Sequence, residues 1–347
     1  MSYSTYVTTW NNNPINQVND MINKSVIKSN SRIILAFASF NFTSTDYVPG
    51  ILNMNLDDLK KFTDLVHSVG GKVSLSIGGA TYPFNGSDLF NRPGDLAANI
   101  NILLNKCGFD GVDFDIEDSF SNAESNFVTN TASNFVTNTA SNFVTNAASL
   151  INTLKSLNNT LNITLTTAAQ AWAPNNYQQS LLDLTIGNLN AWQPMEYDLW
   201  IDPSLTYYDQ IEYDIDYYLT KWNINSNKII LGLMPGSDDL RRNLNLQYAL
   251  DLTSFAKTKN LQGVMTWSAN IDSTGCDGNA PYAYSLGIQS ILKSTPNIFN
   301  KMLCCKTRNK IDYKLDVRSQ PPLTLPVSPK FTNDEIKKNK ENLDSMI

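Results

Sequence analysis

At 347 residues, the chain has the length of one closed α/β barrel rather than of several ordinary domains. Its 42% apolar and 17% charged residues permit a large core and argue against global disorder. Residues 1–300 contain 16 Lys/Arg and 26 Asp/Glu, whereas residues 301–347 contain 10 and 6. Because a nucleic-acid site needs a basic surface, an acidic body of this size argues against the nucleic-acid-binding classes.

Eight short runs rich in β-branched and aromatic residues recur along the chain and predict strands. Most of them are continuously apolar, which is typical of parallel strands that are covered on both faces. Helical spacing lies between them, as in the helix predicted over Leu56–Val69 behind an Asn55 cap. The alternation favours a single (β/α)8 TIM barrel, with an open doubly wound sheet as the alternative. The eight runs are Ser4–Trp10, Arg32–Ala38, Lys72–Ile77, Gly111–Ile116, Asn162–Ala168, Ala191–Tyr197, Lys228–Met234 and Gly263–Ser268.

A repeat interrupts this order after the fourth strand. Ser125–Ala132 and Ser133–Ala140 are identical octads, and Ser141–Ala148 differs from them only at Ala147. The third octad continues into an amphipathic pattern, so we predict that it belongs to the fourth barrel helix. The first two octads are interpreted as a late duplication, with an extra wall beside a cleft as the alternative.

The two ends of the chain differ in character. Residues 1–297 are predicted to form the barrel domain, and residues 298–347 a polar, basic extension. No signal-peptide pattern is visible, since the first basic residue is Lys24 and residues 4–10 already resemble a strand. The localisation is therefore left open. No membrane contact is expected, because the longest apolar run, Ile33–Phe40, is too short to cross a bilayer.

Cysteine and histidine usage argues against metal chemistry. The four cysteines, Cys107, Cys276, Cys304 and Cys305, form no CxxC pair, and we expect free thiols. His67 is the only histidine of the sequence, which excludes a zinc site built on several histidines. We interpret it as a solvated residue near a helix end. No metal and no cofactor is expected.

Acidic residues alternate along the fourth strand. Asp113, Asp115 and Glu117 share one face of it, because side chains of a strand point to opposite faces in turn. In a barrel this face points inward, and crowding of like charges together with burial raises the pKa of some of these carboxyls. A carboxylic acid can then serve as a general acid near neutral pH. Asp110 has the opposite parity and lies at the start of the strand, so we expect a structural role for it.

The segment Asp110–Glu117 resembles the signature of glycoside hydrolase family 18, Asp-x-x-Asp-x-Asp-x-Glu, at all four acidic positions. The resemblance covers about residues 4–295 and implies a (β/α)8 barrel with chitinase activity. Only 27 residues lie between Pro235 and Gly263, so the α+β insertion that deepens the cleft of some relatives is missing, which suggests endo cleavage. Four further segments match the family's strands in order: Leu75–Gly79 (Ser-x-Gly-Gly), Leu165–Ala171, Gln193–Asp198 (Met-x-Tyr-Asp) and Gly263–Ser268.

The resemblance implies a retaining hydrolysis of β-1,4-N-acetylglucosamine linkages in which the substrate assists. Glu117 would protonate the glycosidic oxygen, and the substrate's 2-acetamido oxygen would attack C1. Asp115 would orient the acetamido group, Asp113 would share a proton with Asp115, and Tyr197 would hydrogen-bond the acetamido carbonyl. The expected partner is chitin or a chitooligosaccharide, and the protein is expected to be a monomer.

Other positions are assigned by the same resemblance. Asp198 and Met195 would contact substrate, and Trp267 would form an apolar floor under the reacting sugar, with an ordinary core tryptophan as its alternative. Gln170 is a further candidate for substrate contact, and Trp172 and Trp200 either stack on outer sugars or simply pack. Structural roles near the site are expected for Asp110, Ser76, Gly78 and Gly79.

Three other functions stay open at this point. An endo-β-N-acetylglucosaminidase acting on N-glycans would use the same mechanism on a different substrate. A catalytically dead chitin-binding lectin would keep the barrel and the sugar contacts, although the acid at Glu117 is retained here. A purely structural barrel would leave the three inward acids without a purpose, since buried unpaired acids are costly.

Overall fold

The computed structural model describes the greater part of residues 1–294. The described ranges are 1–10, 13–29, 31–39, 54–80, 82, 84, 90–117, 134–169 (backbone only for 134–141), 177–199, 201–202, 204–237 and 243–294. Residues 1–294 form one compact unit. The predicted extension over 298–347 lies outside the described residues, as do Gln170, Trp172 and Trp200.

Eight parallel strands of the described residues close into one barrel, which confirms the predicted fold class. The barrel closes where β1 pairs with β8 as well as with β2. The register between neighbours brings Ser76 beside Asp113, and Asp115 beside Thr166. The strands are β1 Ser2–Thr8, β2 Ser31–Ala38, β3 Lys72–Gly78, β4 Gly111–Ile116, β5 Asn162–Ala168, β6 Ala191–Met195, β7 Ile230–Leu233 and β8 Gly263–Thr266.

Helices alternate with these strands and form the outer layer. The second helix begins with a capping box between Asn55 and Asp58, as the sequence predicts at this end. Between β7 and β8 the described residues include a short antiparallel pair, Gly236–Ser237 and Asn243–Leu244, before the next helix. The helices are α1 Pro14–Asn23, α2 Leu56–Ser68, α3 Pro93–Cys107, α4 Asn134–Leu157, α5 Tyr177–Thr185, α6 Tyr207–Thr220, α7 Leu246–Thr258, α8 Ala269–Asp272 and α9 Ala283–Lys293. Short 3₁₀ turns cover Ser226–Lys228 and Cys276–Gly278.

The main core lies between the barrel and the helices. Outward residues of the strands, such as Val112, Phe114 and Ile116 of β4, are buried there against the apolar faces of the helices. A smaller apolar cluster fills part of the barrel interior around Tyr6, Phe37 and other residues. Part of the interior is polar, because the inward faces of β4, β5 and β6 carry buried acids, threonines and an amide.

The sequence misplaced several strand ends. Strand β1 begins and ends two residues before the predicted run Ser4–Trp10, and β6 ends at Met195 rather than at Tyr197. The physical reason at β6 is the backbone of Asp198, whose φ of 54° is left-handed and therefore incompatible with a strand. Strand β8 ends at Thr266, two residues before the predicted end.

The octad prediction also needs correction. Helix α4 begins at Asn134, inside the second octad, whereas the sequence placed only the third octad in a helix. At least seven residues of the second octad are helical, and the first octad lies outside the described residues. Polar Asn and Thr positions weakened the helical pattern of the second octad, which explains the missed start.

None of the helices within the described residues has the length and apolarity that a membrane span requires.

Candidate active site

The carboxylate of Asp113 is the most densely hydrogen-bonded acid of the barrel interior. It is completely buried. Four strands supply its donors: the Tyr6 hydroxyl (2.7 Å) and the Ser76 hydroxyl (2.7 Å) reach Oδ2, and the Thr164 hydroxyl (2.6 Å), the Thr166 hydroxyl (2.9 Å) and Gln193 Nε2 (3.1 Å) reach Oδ1. Burial raises the pKa of Asp113, while the hydroxyl donors oppose that rise because they favour the charged form.

Asp115 lies one step nearer the open end of the barrel, in a different setting. It is buried, and its Oδ1 has no hydrogen-bond partner among the described residues. Burial raises the pKa of Asp115 well above its usual range, and the charges of Glu117 and Asp113 raise it further. Asp113 has five donors whereas Oδ1 of Asp115 has none among the described residues, so ionisation is favoured at Asp113 and protonation at Asp115.

Glu117 follows directly after β4 and is exposed at the mouth, meaning the end of the barrel where the strands finish. Its Oε1 accepts a hydrogen bond of 3.1 Å from the backbone N–H of Ala80. The turn after β3 makes this contact possible, because Gly78 has φ 111° and Gly79 has φ 75°. A Cβ on Gly78 would meet the Asp115 carbonyl oxygen at 2.1 Å, so this position requires glycine.

Two side chains at the end of β6 face the same acids. Met195 and Tyr197 are buried and pack together with Met234, and Trp267 lies against this cluster. Burial raises the pKa of Tyr197 well above its usual range, and the negative charges of Asp115 and Glu117 add to the rise. The phenol therefore stays protonated and can donate a hydrogen bond. Asp198 comes next in the chain and is exposed.

Aromatic rings line the mouth opposite these polar groups. Trp267 stacks on Phe37 with ring centroids 5.6 Å apart and contacts Tyr6 edge-on at 5.1 Å. Trp10 stacks on the same Phe37 at 5.9 Å and is 42% exposed. These rings form an apolar surface beside the carboxyls, of the kind that sugar rings can pack against.

Asp110 does not join this group. It lies at the other end of β4, where it accepts hydrogen bonds from the Val73 N–H (2.8 Å) and from Lys72 Nζ (2.9 Å). The same Oδ2 that accepts from Val73 is 2.8 Å from His67 Nε2. His67 is therefore paired with an acid rather than simply solvated as predicted. These contacts join α2, β3 and β4 at the closed end of the barrel, and they lower the pKa of Asp110 against the effect of burial.

Sequence reasoning missed the donors that surround Asp113, with the exception of Ser76. Tyr6, Thr164, Thr166 and Gln193 belong to strands whose inward faces could have been listed by parity, yet nothing local shows which of them reach an acid on another strand. The missing information was the register between strands, which pairs Asp113 with Thr164, and Thr166 with Gln193.

A second group of buried acids lies on the outer side of β6. This outer acid group consists of Glu196, Asp214 and Tyr218, the last two from helix α6, and all three are fully buried. Both Glu196 oxygens, Asp214 Oδ2 and the Tyr218 hydroxyl have no hydrogen-bond partner among the described residues. Gln210 Nε2 donates to Asp214 Oδ1 at 2.8 Å.

Burial dominates the titration of this outer group. It raises the pKa of Glu196 well above its usual range, with a further rise from the charge of Asp214. The nearby Tyr218 hydroxyl opposes the rise, but it lies outside hydrogen-bonding geometry and does not outweigh burial. Burial also raises the pKa of Asp214 to about 6, against the effect of the Gln210 donor. Burial therefore favours the neutral form of Glu196.

Comparison with known proteins gives one family. The family model described as glycosyl hydrolases family 18 matches residues 3–237, which include β1 from its second residue, β2 to β7, and the acid ladder formed by Asp113, Asp115 and Glu117. No curated protein matches the sequence.

Solved structures with the same fold cover most of the chain. The catalytic domain of a hyperthermophilic chitinase from Pyrococcus furiosus superimposes with a TM-score of 0.64 at 15% identity, covering 84% of this chain and 95% of its own. A chitinase of the same family from Pseudoalteromonas aurantia gives 0.61 at 17% identity, covering 85% and 100%. Human YKL-39, described as a pseudo-chitinase that retains chitooligosaccharide binding, gives 0.61 at 16% identity, covering 84% and 100%. Identities this low establish the shared fold alone.

Proposed function

The chain belongs to glycosyl hydrolase family 18, and we propose that it is a chitinase that hydrolyses β-1,4-N-acetylglucosamine linkages with retention of configuration. One observation carries the proposal: three carboxyls in sequence along β4 pass from complete burial at Asp113 to exposure at Glu117. The exposed carboxyl can meet a glycosidic oxygen, while the buried ones can hold a charge and a proton behind it.

The chemistry proceeds in two steps. In the first, Glu117 gives its proton to the glycosidic oxygen while the carbonyl oxygen of the substrate's 2-acetamido group attacks C1. The C1–O bond to the leaving sugar breaks, and a cyclic oxazolinium ion remains. In the second, water attacks C1, Glu117 takes a proton from that water, and the ring reopens to give the β-anomer. The substrate supplies the nucleophile, so a sugar without the N-acetyl group is not turned over.

Asp115 and Tyr197 hold the acetamido group during these steps. Asp115 faces the acetamido N–H, and the unpaired oxygen of its buried carboxyl is suited to that contact. Tyr197 keeps its proton and donates it in a hydrogen bond to the acetamido carbonyl. Asp113 shares the proton of Asp115, which fits a carboxylate held by five donors.

Apolar and exposed residues at the mouth would bind the sugar rings. Trp267 forms the floor under the reacting sugar, with Met195 beside it, and Asp198 contacts the same sugar from the rim. The stacked pair of Trp10 and Phe37 extends this surface along one side of the mouth. The 27 residues between Pro235 and Gly263 are too few for the α+β insertion that deepens the cleft of some relatives, which supports endo cleavage of a bound chain.

The test compares wild type with Glu117→Gln on a fluorogenic chitotrioside. We expect turnover by wild type and a loss of about 10³-fold or more in the variant, because general acid catalysis is removed while the shape is kept. Chitotetraose binding, measured by calorimetry, should persist in both. Asp95→Asn, at an exposed acid in the first turn of α3, serves as the control and should leave turnover unchanged.

A second candidate function is a chitin-binding lectin, favoured by the structural likeness to YKL-39. It predicts chitotetraose binding without turnover in wild type. Near-normal turnover in Glu117→Gln would contradict the proposed mechanism itself. The endo-β-N-acetylglucosaminidase alternative predicts that a glycoprotein carrying N-glycans is cleaved in preference to chitotetraose.

A further inference from the structure

The inward side chain of Gln193 occupies the centre of the polar barrel interior. Its Nε2 donates to two acceptors, Asp113 Oδ1 at 3.1 Å and the Thr166 hydroxyl at 2.9 Å. Its Oε1 accepts from the Ser4 hydroxyl at 3.4 Å. This arrangement fixes the amide orientation, because a reversed amide would set Oε1 against a carboxylate oxygen, with two acceptors facing each other.

Gln193 differs in one chemical respect from the other donors to Asp113. The four others are hydroxyls, which can donate or accept and can therefore turn around if Asp113 becomes protonated. An amide N–H can only donate. Among the five donors, Gln193 is therefore the one whose contact with Asp113 is favourable only when that oxygen acts as an acceptor.

Gln193 also contacts Thr166, which is itself a second donor to Asp113 Oδ1. Thr166 Oγ1 lies 2.9 Å from Asp113 Oδ1, 2.9 Å from the Tyr6 hydroxyl and 2.9 Å from Gln193 Nε2. Gln193 donates an N–H to Thr166, so the single hydroxyl proton of Thr166 is left for its two other neighbours, of which the carboxylate oxygen of Asp113 is a stronger acceptor than the Tyr6 phenol. The amide therefore donates to Oδ1 directly and also contacts a hydroxyl that donates to Oδ1.

We propose that Gln193 is a positioning residue of the hydrolytic site: its amide keeps Asp113 in the ionised form and so leaves the shared proton on Asp115, where the acetamido group binds. The inference rests on the proposed function, because it assigns the proton to the residue that meets the substrate. Gln193 itself touches no reacting atom, since Asp113 and Thr166 lie between it and Asp115.

The variant Gln193→Met removes both N–H groups at nearly constant volume. Loss of a donor to the charged form makes Asp113 easier to protonate, so the doubly protonated, inactive pair appears at higher pH. On a fluorogenic chitotrioside, we expect the acid limb of the kcat–pH profile to move to higher pH by about one unit. KM should change little, because Gln193 does not reach the substrate.

Gln210→Met is the matched control. Gln210 is equally buried and also donates to a buried aspartate, Asp214, at 2.8 Å, but it lies in the outer layer of the protein. If Gln193 merely supports packing, both variants lose stability and keep the wild-type pH profile, and that result overturns the proposal. If Gln193→Met does not fold, Gln193→Glu keeps the shape while replacing the donor by an acid. Its acid limb should move in the same direction, and an unchanged limb overturns the proposal.

A second readout needs no turnover and separates this proposal from the proposed function. Carboxyl ¹³C titration of aspartate-labelled protein should show the Asp113 resonance titrating at higher pH in Gln193→Met than in wild type. Wild-type protein that fails to hydrolyse the chitotrioside overturns the proposed function, and with it the catalytic consequence assigned to Gln193. An Asp113 titration that does not differ between wild type and Gln193→Met overturns the role of Gln193 itself.

Discussion

The two groups of buried acids on either side of β6 solve the same physical problem in opposite ways. Inside the barrel, Asp113 is buried with five donors around it, so an ionised carboxylate is tolerated there. Outside the barrel, Glu196 is equally buried and neither oxygen has a partner among the described residues, so the group is kept neutral instead. Burial alone therefore does not define a catalytic acid; the supply of donors decides which charge state the site holds.

The largest difference in kcat between the two groups is expected when asparagine replaces one aspartate of each group. Asp115→Asn should lower kcat on a chitotrioside by roughly 10²–10³-fold, since the carboxyl that orients the acetamido nucleophile and carries the shared proton is lost. Asp214→Asn, in the outer acid group, should keep kcat within about twofold, because electrostatic catalysis requires contact with the reacting atoms. Equal losses in both variants would mean that the outer group also takes part in turnover.

The dependence of protein stability on pH should instead be affected by the outer acid group. Burial raises the pKa of Asp214 in the folded protein to about 6 from its ordinary value of 3.8, so its contribution to stability is present below pH 3.8 and is lost as pH rises through 6. Relative to Asp214→Asn, wild type should lose about 2–3 kcal/mol of unfolding free energy between pH 4 and pH 8. Urea denaturation at the two values measures this. Asp183→Asn, at an exposed acid of α5, is the control, and a similar pH dependence there would contradict the assignment.

Removal of one hydroxyl from each group gives a smaller contrast. Ser76→Ala deletes a donor of 2.7 Å to Asp113, and we expect kcat to fall about 3- to 10-fold, because four donors remain to share the charge. Tyr218→Phe deletes a hydroxyl that is not hydrogen-bonded, so activity should be unchanged and thermal stability equal to or above that of wild type. A loss of stability in Tyr218→Phe would show that its hydroxyl has a partner.

The smallest effect is expected from the exposed aromatics. Trp10→Ala removes the outer ring of the stack on Phe37 and should raise KM for chitotetraose about 3- to 10-fold with kcat nearly unchanged, since it binds substrate away from the bond that is cut. Tyr213→Ala, which removes a 49% exposed ring on α6, should leave KM as in wild type. An increase in both variants would indicate a general loss of solubility or fold.

The fold and the acid ladder could be predicted because both depend on local patterns. The alternation of side chains puts Asp113, Asp115 and Glu117 on one face of β4, and that holds wherever the strand lies in the barrel. The hydrogen bond from Tyr6 to Asp113 could not be predicted, since it joins residues 107 positions apart and depends on the register of several strands. The pairing of His67 with Asp110 was missed for the same reason.

The outer acid group escaped prediction for a different reason. Glu196 is the unspecified position of the Met-x-Tyr-Asp segment that resembles the family's sixth strand, so the resemblance implies no role for it. Its parity places it toward the helices, and an ionisable residue at such a position is itself a signal. Helix α6 presents Asp214 on its buried face, which a count of acids at apolar helix positions would have found.

The closure of the barrel has a consequence for how the protein is made. Strand β1 is synthesised before the rest of the barrel, yet its second neighbour, β8, follows about 260 residues later, as the pairing of Ser2 with Gly263 requires. Until β8 has been made, β1 has only its pairing with β2. Completion of the barrel interior is thus tied to the synthesis of β8, and a nascent chain released before that point would lack a closed barrel. A long-range closure of this kind is also slow, because its entropic cost must be met before the contacts form.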